Sequence, residues 1–272
     1  MPEYLPLILL GFVIGTLGTL IGAGGGFILM PILLLSYPQR SAEELTAISL
    51  AVVFFNAASG SISYARMKRI DYRSGLLFLT AGIPGAVMGA MTVAYVPRQA
   101  FNTVFGLVLL AASLFILFRS PRPPDSSARL GARFKRVLTD AAGRRHAFAY
   151  NLPLGMSLSF LVGFASSLLG IGGGIIHVPA MVHLLDFPVH IATATSHFVL
   201  AGMALAGTLV HGATGSLREG LGPLLGLAVG AGIGAQIGAR LSPRIHGRWI
   251  MRALAGALAL VGIRILLAAV WS

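Results

Sequence analysis

The chain has 272 residues, of which 56% are hydrophobic and 10% are charged, whereas a soluble domain carries about 25% Asp, Glu, Lys and Arg. So few charges exclude a soluble globule. The net charge of +12 does not indicate nucleic-acid binding, because the basic residues stand in short gaps between long apolar runs. The absence of cysteine from the sequence excludes disulfides and thiolate metal sites. The composition therefore predicts an all-α, polytopic transmembrane protein.

Apolar runs of roughly 20 residues, the length that crosses about 30 Å of hydrocarbon, follow one another along the chain. They cover segments 5–35, 43–65, 75–94, 99–118, 152–185, 190–211, 220–240 and 249–271. The first and the fifth are too long for one simple span. Between the fourth and the fifth lies an Arg- and Pro-rich stretch. It predicts a basic cytoplasmic linker, 119–150, between a first membrane repeat, 1–118, and a second, 151–272.

The two membrane repeats, 1–118 and 151–272, are copies of each other. Gly22, Gly24 and Pro31 recur 148 positions later as Gly170, Gly172 and Pro179, Ser49 and Gly60 recur after 147 positions as Ser196 and Gly207, and Gly85 and Gly89 recur after 149 positions as Gly234 and Gly238. Offsets that differ by one residue are what small insertions in loops produce. The sequence therefore indicates an internal duplication of about four apolar segments.

The charges in the loops predict that the copies have opposite orientations. Arg66, Lys68, Arg69 and Arg73 fill one gap of the first half and Arg98 the next, whereas in the second half Arg218 stands in the matching gap and Arg240, Arg244 and Arg248 in the next. If Lys and Arg mark the cytoplasmic side, the repeats are inverted, as in many secondary transporters. Four full spans would return each half to its starting side, so we expect 5–35 and 152–185 to be broken-helix hairpins. Long broken spans are the alternative.

Two glycine clusters carry the predicted substrate site: Gly24, Gly25 and Gly26 in the first half, and Gly172, Gly173 and Gly174 in the second. Consecutive glycines break a helix and leave backbone N–H groups accessible to a bound group. In a bilayer, such backbone is tolerated only inside protein or along a cavity. The flanking helix N-termini are partly positive, which suits an anion. A packing or hinge role is the alternative, and no Gly-Lys-Ser/Thr follows that would indicate a phosphate loop.

Polar residues in the segment after each break extend this site. Ser49 and Ser196 are repeat mates, and Asn56 and His197 stand on the same two segments. We predict that these four side chains bind substrate, although Ser and Thr in membrane helices often bond to backbone carbonyls instead. His177 follows the second glycine cluster and is a candidate for proton coupling, because ionisable groups inside membranes are commonly functional. No metal site is predicted, since no His-Glu-x-x-His pattern occurs.

The repeated Gly-rich motifs, Gly15 to Pro31 and Gly163 to Pro179, resemble those of the TauE/SafE family of membrane transporters, the sulfite exporter family. The similarity covers both halves. It implies secondary transport of small anions, with sulfite, sulfonates such as sulfoacetate and related organic anions as substrates, and with export as the common direction. The second half departs from strict symmetry, because His177 and His197 stand where the first half has Leu29 and Leu50.

The sequence thus predicts a secondary anion transporter in the bacterial inner membrane, with the lipid bilayer and a small anion as partners and without a cofactor. A proton-coupled mechanism and a homodimer are left open. A channel, or a carrier for another organic anion, is the alternative. An intramembrane enzyme is disfavoured because no second intramembrane acid is present, and a cation carrier is disfavoured because intramembrane Asp and Glu are almost absent.

Overall fold

A computed structural model describes residues 4–118, 134–217, 221–244 and 247–270. The helices in these ranges are α1 (Tyr4–Ile21), α2 (Gly26–Ser36), α3 (Ala42–Arg66), α4 (Tyr72–Thr92), α5 (Arg98–Phe118), α6 (Leu152–Leu169), α7 (Gly174–Leu184), α8 (Val189–Thr214), α9 (Leu221–Leu241) and α10 (Gly247–Val270). Two antiparallel strands, β1 (Phe134–Thr139) and β2 (Arg145–Tyr150), lie between α5 and α6.

The helices confirm the prediction of a polytopic all-α membrane protein. Within the described ranges, six helices are long and apolar enough to cross a membrane. The predicted segments agree with the helix ends within three residues, and both long segments are interrupted at their glycines. Large apolar side chains on the outer surface are exposed, among them Leu9, Leu76, Leu107, Leu161 and Leu209. Such a surface is stable in lipid, where apolar side chains have no water to avoid.

Each broken segment folds back on itself. In the second, the His177 ring on α7 lies 3.1 Å from the Ser159 hydroxyl on α6. A Cβ on Gly155, near the start of α6, would lie 3.4 Å from Leu185, which follows α7. α7 therefore runs antiparallel to α6. In the first, a Cβ on Gly25 would lie 2.7 Å from the Ile14 side chain of α1, so the chain also turns back at that break.

Glycine seams hold the two hairpins to the rest of the bundle. Gly11 and Gly15 of α1 lie against the backbone of α9 at Leu227 and Ala231, so the two helices run parallel. Gly230, Gly234 and Gly238 of α9 lie against the backbone of α1 from the other side. The helices α4 and α6 pair in the same way. Gly85 and Gly89 of α4 and Gly163 of α6 lie against the backbone of the other helix, and the two helices again run parallel. Small residues permit this backbone approach, which provides the packing contacts that hold helices together in lipid.

The strands β1 and β2 form a hairpin over the loop between α3 and α4. Arg136 of β1 makes a two-pronged ion pair with Asp71, the N-cap of α4, with a shortest N–O distance of 2.6 Å. The Tyr150 hydroxyl donates to Ser74 Oγ at 2.7 Å. The linker was predicted without strands, so this hairpin is an addition to the expected fold. The prolines on which the prediction of a linker rested, and several of its arginines, lie at 119–133, outside the described residues.

The turn of this hairpin is organised by Asp140. Its carboxylate accepts backbone N–H groups of Ala142 and Arg144 at 3.0 Å each and lies 3.6 Å from the Arg69 guanidinium. Burial acts to raise the pKa of Asp140, but hydrogen bonds from the Arg144 backbone, the His146 ring and the Ala142 backbone lower that pKa below its usual value. The ionised carboxylate therefore ties the hairpin to the loop after α3.

Candidate functional site

The two glycine breaks meet at the centre of the bundle. Gly174 at the start of α7 lies directly against the Gly22 carbonyl, and a Cβ on Gly26 would lie 2.7 Å from the carbonyl oxygen of Ile171. Residues 22–26 and 170–174 are all buried. The N-caps Gly25 and Gly173 have positive φ angles, 79° and 70°, which glycine adopts without strain. The predicted symmetric site thus becomes one contact region, which we call the tip contact.

Two half-helices begin at the tip contact. Neither α2 nor α7 has a side chain that caps its first turn. The first turn of an α-helix has N–H groups without partners in the helix, and the helix dipole makes this end partly positive. Both positive ends lie at the centre of the bundle, one from each half of the chain. This arrangement favours an anion between them.

The helices α3 and α8 flank the tip contact, and each touches the break of the opposite half. A Cβ on Gly22 would lie 2.6 Å from the Thr193 methyl group, and a Cβ on Gly170 would lie 3.3 Å from Thr46 Oγ1. Val53 and Leu200 fill the space beside Gly24 and Gly172. Thr46 and Thr193 are fully buried, and within the described part of the chain neither hydroxyl has a hydrogen-bond partner.

The repeat mates Ser49 and Ser196 differ in their bonding. Ser49 Oγ donates to the Gly170 carbonyl oxygen at 2.6 Å, so α3 is bonded to the second break. Ser196 is equally buried, but no partner for its hydroxyl exists among the residues that the structure describes. A buried hydroxyl without a partner costs free energy. The Ser196 hydroxyl can therefore donate a hydrogen bond to a bound group, whereas the Ser49 hydroxyl already donates to the Gly170 carbonyl.

Asn56 joins three helices. Its amide nitrogen donates to the Gly15 carbonyl of α1 at 3.1 Å and to the Ala231 carbonyl of α9 at 3.2 Å, and its oxygen accepts from Thr19 Oγ1 at 3.1 Å. Both amide hydrogens are thus engaged in helix contacts. The predicted contact of Asn56 with substrate stays a prediction, and it requires the amide to exchange one of these bonds.

His197 lies next to Asn56, in a buried polar cluster around Thr19. Its Nε2 is 3.3 Å from Thr19 Oγ1, and its ring meets the Tyr64 ring edge-on with centroids 5.7 Å apart. The Tyr64 hydroxyl donates to the Thr19 carbonyl at 2.7 Å. Thr19 and Tyr64 were not predicted as site residues. Their repeat mates are Ser167 and His211, so a comparison of polar residues at mate positions is the signal that could have found them.

His177, the candidate for proton coupling, packs inside its own hairpin. Its Nε2 lies beside Ser159, and its ring meets Phe78 of α4 edge-on at 5.7 Å. The structure thus places His177 and His197 in separate surroundings. No group of three or more His, Cys, Asp or Glu side chains arranged to hold a metal ion occurs in the described ranges.

We predict that Asn56→Ala lowers the free energy of unfolding by about 1–3 kcal/mol, because it leaves buried partners without their hydrogen bonds. Thermal unfolding in detergent would measure the change. The matched control is Asn102→Ala, because Asn102 Oδ1 has no partner among the described residues. Equal melting temperatures of the two variants would contradict a structural role of Asn56.

Comparisons with known proteins find membrane transporters among the relatives of this chain. The chain matches the family model described as "Sulfite exporter TauE/SafE" over residues 7–265. It is 33% identical over 219 residues to "Probable membrane transporter protein YunE" of Bacillus subtilis, covering 78% of this chain and 80% of that protein. It is 26% identical to "Probable membrane transporter protein MJ0441" of Methanocaldococcus jannaschii, covering 75% and 71%. No solved structure matches the chain significantly.

Proposed function

Because this chain belongs to the TauE/SafE family of membrane transporters, we propose that it is a secondary carrier that exports small anions, with sulfite or organosulfonates such as sulfoacetate as its substrates. The observation that carries the proposal is the tip contact, where α2 and α7 begin with uncapped N-termini. The anion binds between these ends, held by the backbone of Gly24, Gly25 and Gly26 and of Gly172, Gly173 and Gly174. The N–H groups of Gly24 and Gly174 donate to the carbonyls of Gly18 and Gly172 at 3.2 and 2.8 Å, so they bind the anion only by exchanging those bonds. Ser196 adds a hydroxyl that has no other partner within the described ranges.

Alternating access follows from an inverted arrangement of the two halves, which the helix directions support. Gly60 on α3 lies against His197 on α8, whereas Gly207 on α8 lies against Leu50 on α3. The equivalent helices α3 and α8 therefore run antiparallel. An inverted repeat places the substrate near the membrane midplane, and rocking of one unit against the other opens the site to either side.

The membrane orientation follows from the same helix directions. The end of α3 carries Arg66, Lys68 and Arg69, and it lies on the same face as the β-hairpin and the end of α9 with Arg240 and Arg244. Lys and Arg concentrate on the cytoplasmic side of membrane proteins. We therefore propose that this face lies in the cytoplasm of a bacterial inner membrane, together with the β-hairpin of the linker.

Counterflow in proteoliposomes tests the carrier. Vesicles loaded with unlabelled sulfite should transiently accumulate labelled sulfite from outside. A carrier exchanges an internal anion for an external one faster than it transports net charge across the membrane. Sulfoacetate inside the vesicles should replace sulfite if organosulfonates share the site, and acetate serves as the carboxylate control. Uptake without counterflow would indicate a channel. Chemical conversion of the anion would indicate an enzyme.

A further inference from the structure

The imidazole of His197 has one nitrogen free to accept a proton. Thr19 Oγ1 lies between Asn56 Oδ1, to which its hydroxyl donates, and His197 Nε2 at 3.3 Å. The neutral tautomer with its hydrogen on Nε2 satisfies both contacts. Nδ1 is then the unprotonated nitrogen. It is buried and has no hydrogen-bond partner in the part of the chain that the structure describes. The carbonyl oxygens of Gly22 and Asn56 lie near the ring.

Among the described residues, no carboxylate lies beside this ring to balance a positive charge on it. The acidic residues of the described ranges lie at helix ends or in loops, at Glu43, Glu44, Asp71, Asp140 and Asp186. α1 contains no charged residue, and in α9 the charged residue is Arg240 of the last turn. From α3, Tyr64 faces the ring. Arg69 lies beyond Tyr64 and is paired with Asp140.

An imidazolium at His197 would therefore be a buried cation without a counter-ion, and such a charge is costly until an anion arrives. The anion of the proposed function supplies that charge. It would sit at the break that contains Gly22, and α8 touches this break through Thr193, one turn before His197. Opposite charges attract strongly in a low-dielectric interior. Binding of the anion and binding of a proton would therefore favour each other.

The structure limits this proton site to one half of the chain. The position that matches His197 is Leu50. Leu50 lies against Gly207 just as His197 lies against Gly60, and the mate of Thr19 is Ser167, which also adjoins Gly207. The packing is thus repeated, whereas a histidine stands at the position of His197 in one half only. The buried histidine of the second copy is His211, the mate of Tyr64, and it lies 3.9 Å from Glu43. One anion would then bind together with one proton.

We propose that His197 is the proton-binding residue of this carrier and takes up one proton at Nδ1 when an anion occupies the tip contact. This inference rests on the proposed anion site. The proton comes from solvent, it converts the neutral imidazole to imidazolium, and it travels with the anion. His177, the candidate that the sequence indicated, lies in separate surroundings, because its ring bonds to Ser159 within the α6–α7 hairpin and packs against Phe78.

Calorimetry of sulfoacetate binding tests the inference. Titrations in two buffers with different ionisation enthalpies give the number of protons taken up per bound anion, and both acid groups of sulfoacetate stay ionised near neutral pH. We expect about one proton for the native chain and for His177→Gln, and about none for His197→Gln, whose amide can still donate to Thr19. Native affinity should fall up to about tenfold per pH unit as pH rises, since protonation favours the anion. In His197→Gln it should not vary with pH.

Every other outcome of the calorimetry refutes a specific part of the proposal. Binding of sulfoacetate to the native chain without proton uptake would refute the role of His197 and leave the carrier intact. Undiminished proton uptake by His197→Gln, or by His197→Asn where the first variant fails to fold, would assign the proton to another group. Failure of sulfite and sulfoacetate alike to bind or exchange would overturn the anion site itself.

Discussion

The substitution Gly174→Ala is expected to reduce anion counterflow by roughly tenfold or more. Gly174 begins α7 directly against the Gly22 carbonyl and the Ala23 backbone, and an added Cβ would overlap both. Its neighbours here are backbone atoms, which cannot turn away as a flexible side chain can. Overpacking of such a contact costs about 1–3 kcal/mol, and about 1.4 kcal/mol corresponds to a tenfold change in an equilibrium.

The repeat mate provides an internal check on this prediction. Gly26→Ala places its Cβ 2.7 Å from the Ile171 carbonyl oxygen and 2.8 Å from that of Gly170, so it should impair counterflow as well. The matched control is Gly232→Ala on α9, where a Cβ would have no neighbour within 4 Å. Melting in detergent distinguishes a misfolded chain from a folded one that does not transport. Native counterflow in both tip variants would contradict a central role of the tip contact.

Much of this arrangement was predictable because the duplication is written into the sequence. Glycine clusters inside apolar runs indicate breaks wherever they occur, and offsets that agree within one residue paired Gly24 with Gly172 and Ser49 with Ser196. Helix ends followed from hydrophobic length, since the bilayer imposes the same constraint on every span. Local pattern and repetition were therefore sufficient for the membrane segments and for the location of the breaks.

The sequence alone did not predict contacts between elements. Nothing in the pattern around Asn56 shows that its amide reaches carbonyls of α1 and α9, since this depends on how glycine seams align parallel helices. The difference between Ser49 and Ser196 is hidden for the same reason. The β-hairpin was missed because its strands are short and charged, and its stability comes from tertiary partners such as Asp71 rather than from apolar alternation.

The pair of serines yields the second large prediction. Ser196→Ala should weaken sulfite or sulfoacetate binding by about tenfold, because a hydrogen bond to a charged group contributes about 1.5–3 kcal/mol. It should leave thermal stability unchanged or slightly higher, since the hydroxyl is buried without a partner in the described part of the chain. Calorimetric titration and thermal melting of the same preparation measure the two effects.

Ser49→Ala is the matched control, because it removes the same atom from the mate position. Ser49 Oγ bonds the Gly170 carbonyl at 2.6 Å, so its loss should lower the free energy of unfolding by about 1 kcal/mol and should affect anion affinity less than Ser196→Ala does. The two variants thus separate a hydroxyl that holds the break in place from one that is available to the anion. If both lower stability equally and neither changes affinity, the hydroxyl of Ser196 is structural, and the anion is bound by the backbone of the breaks without it.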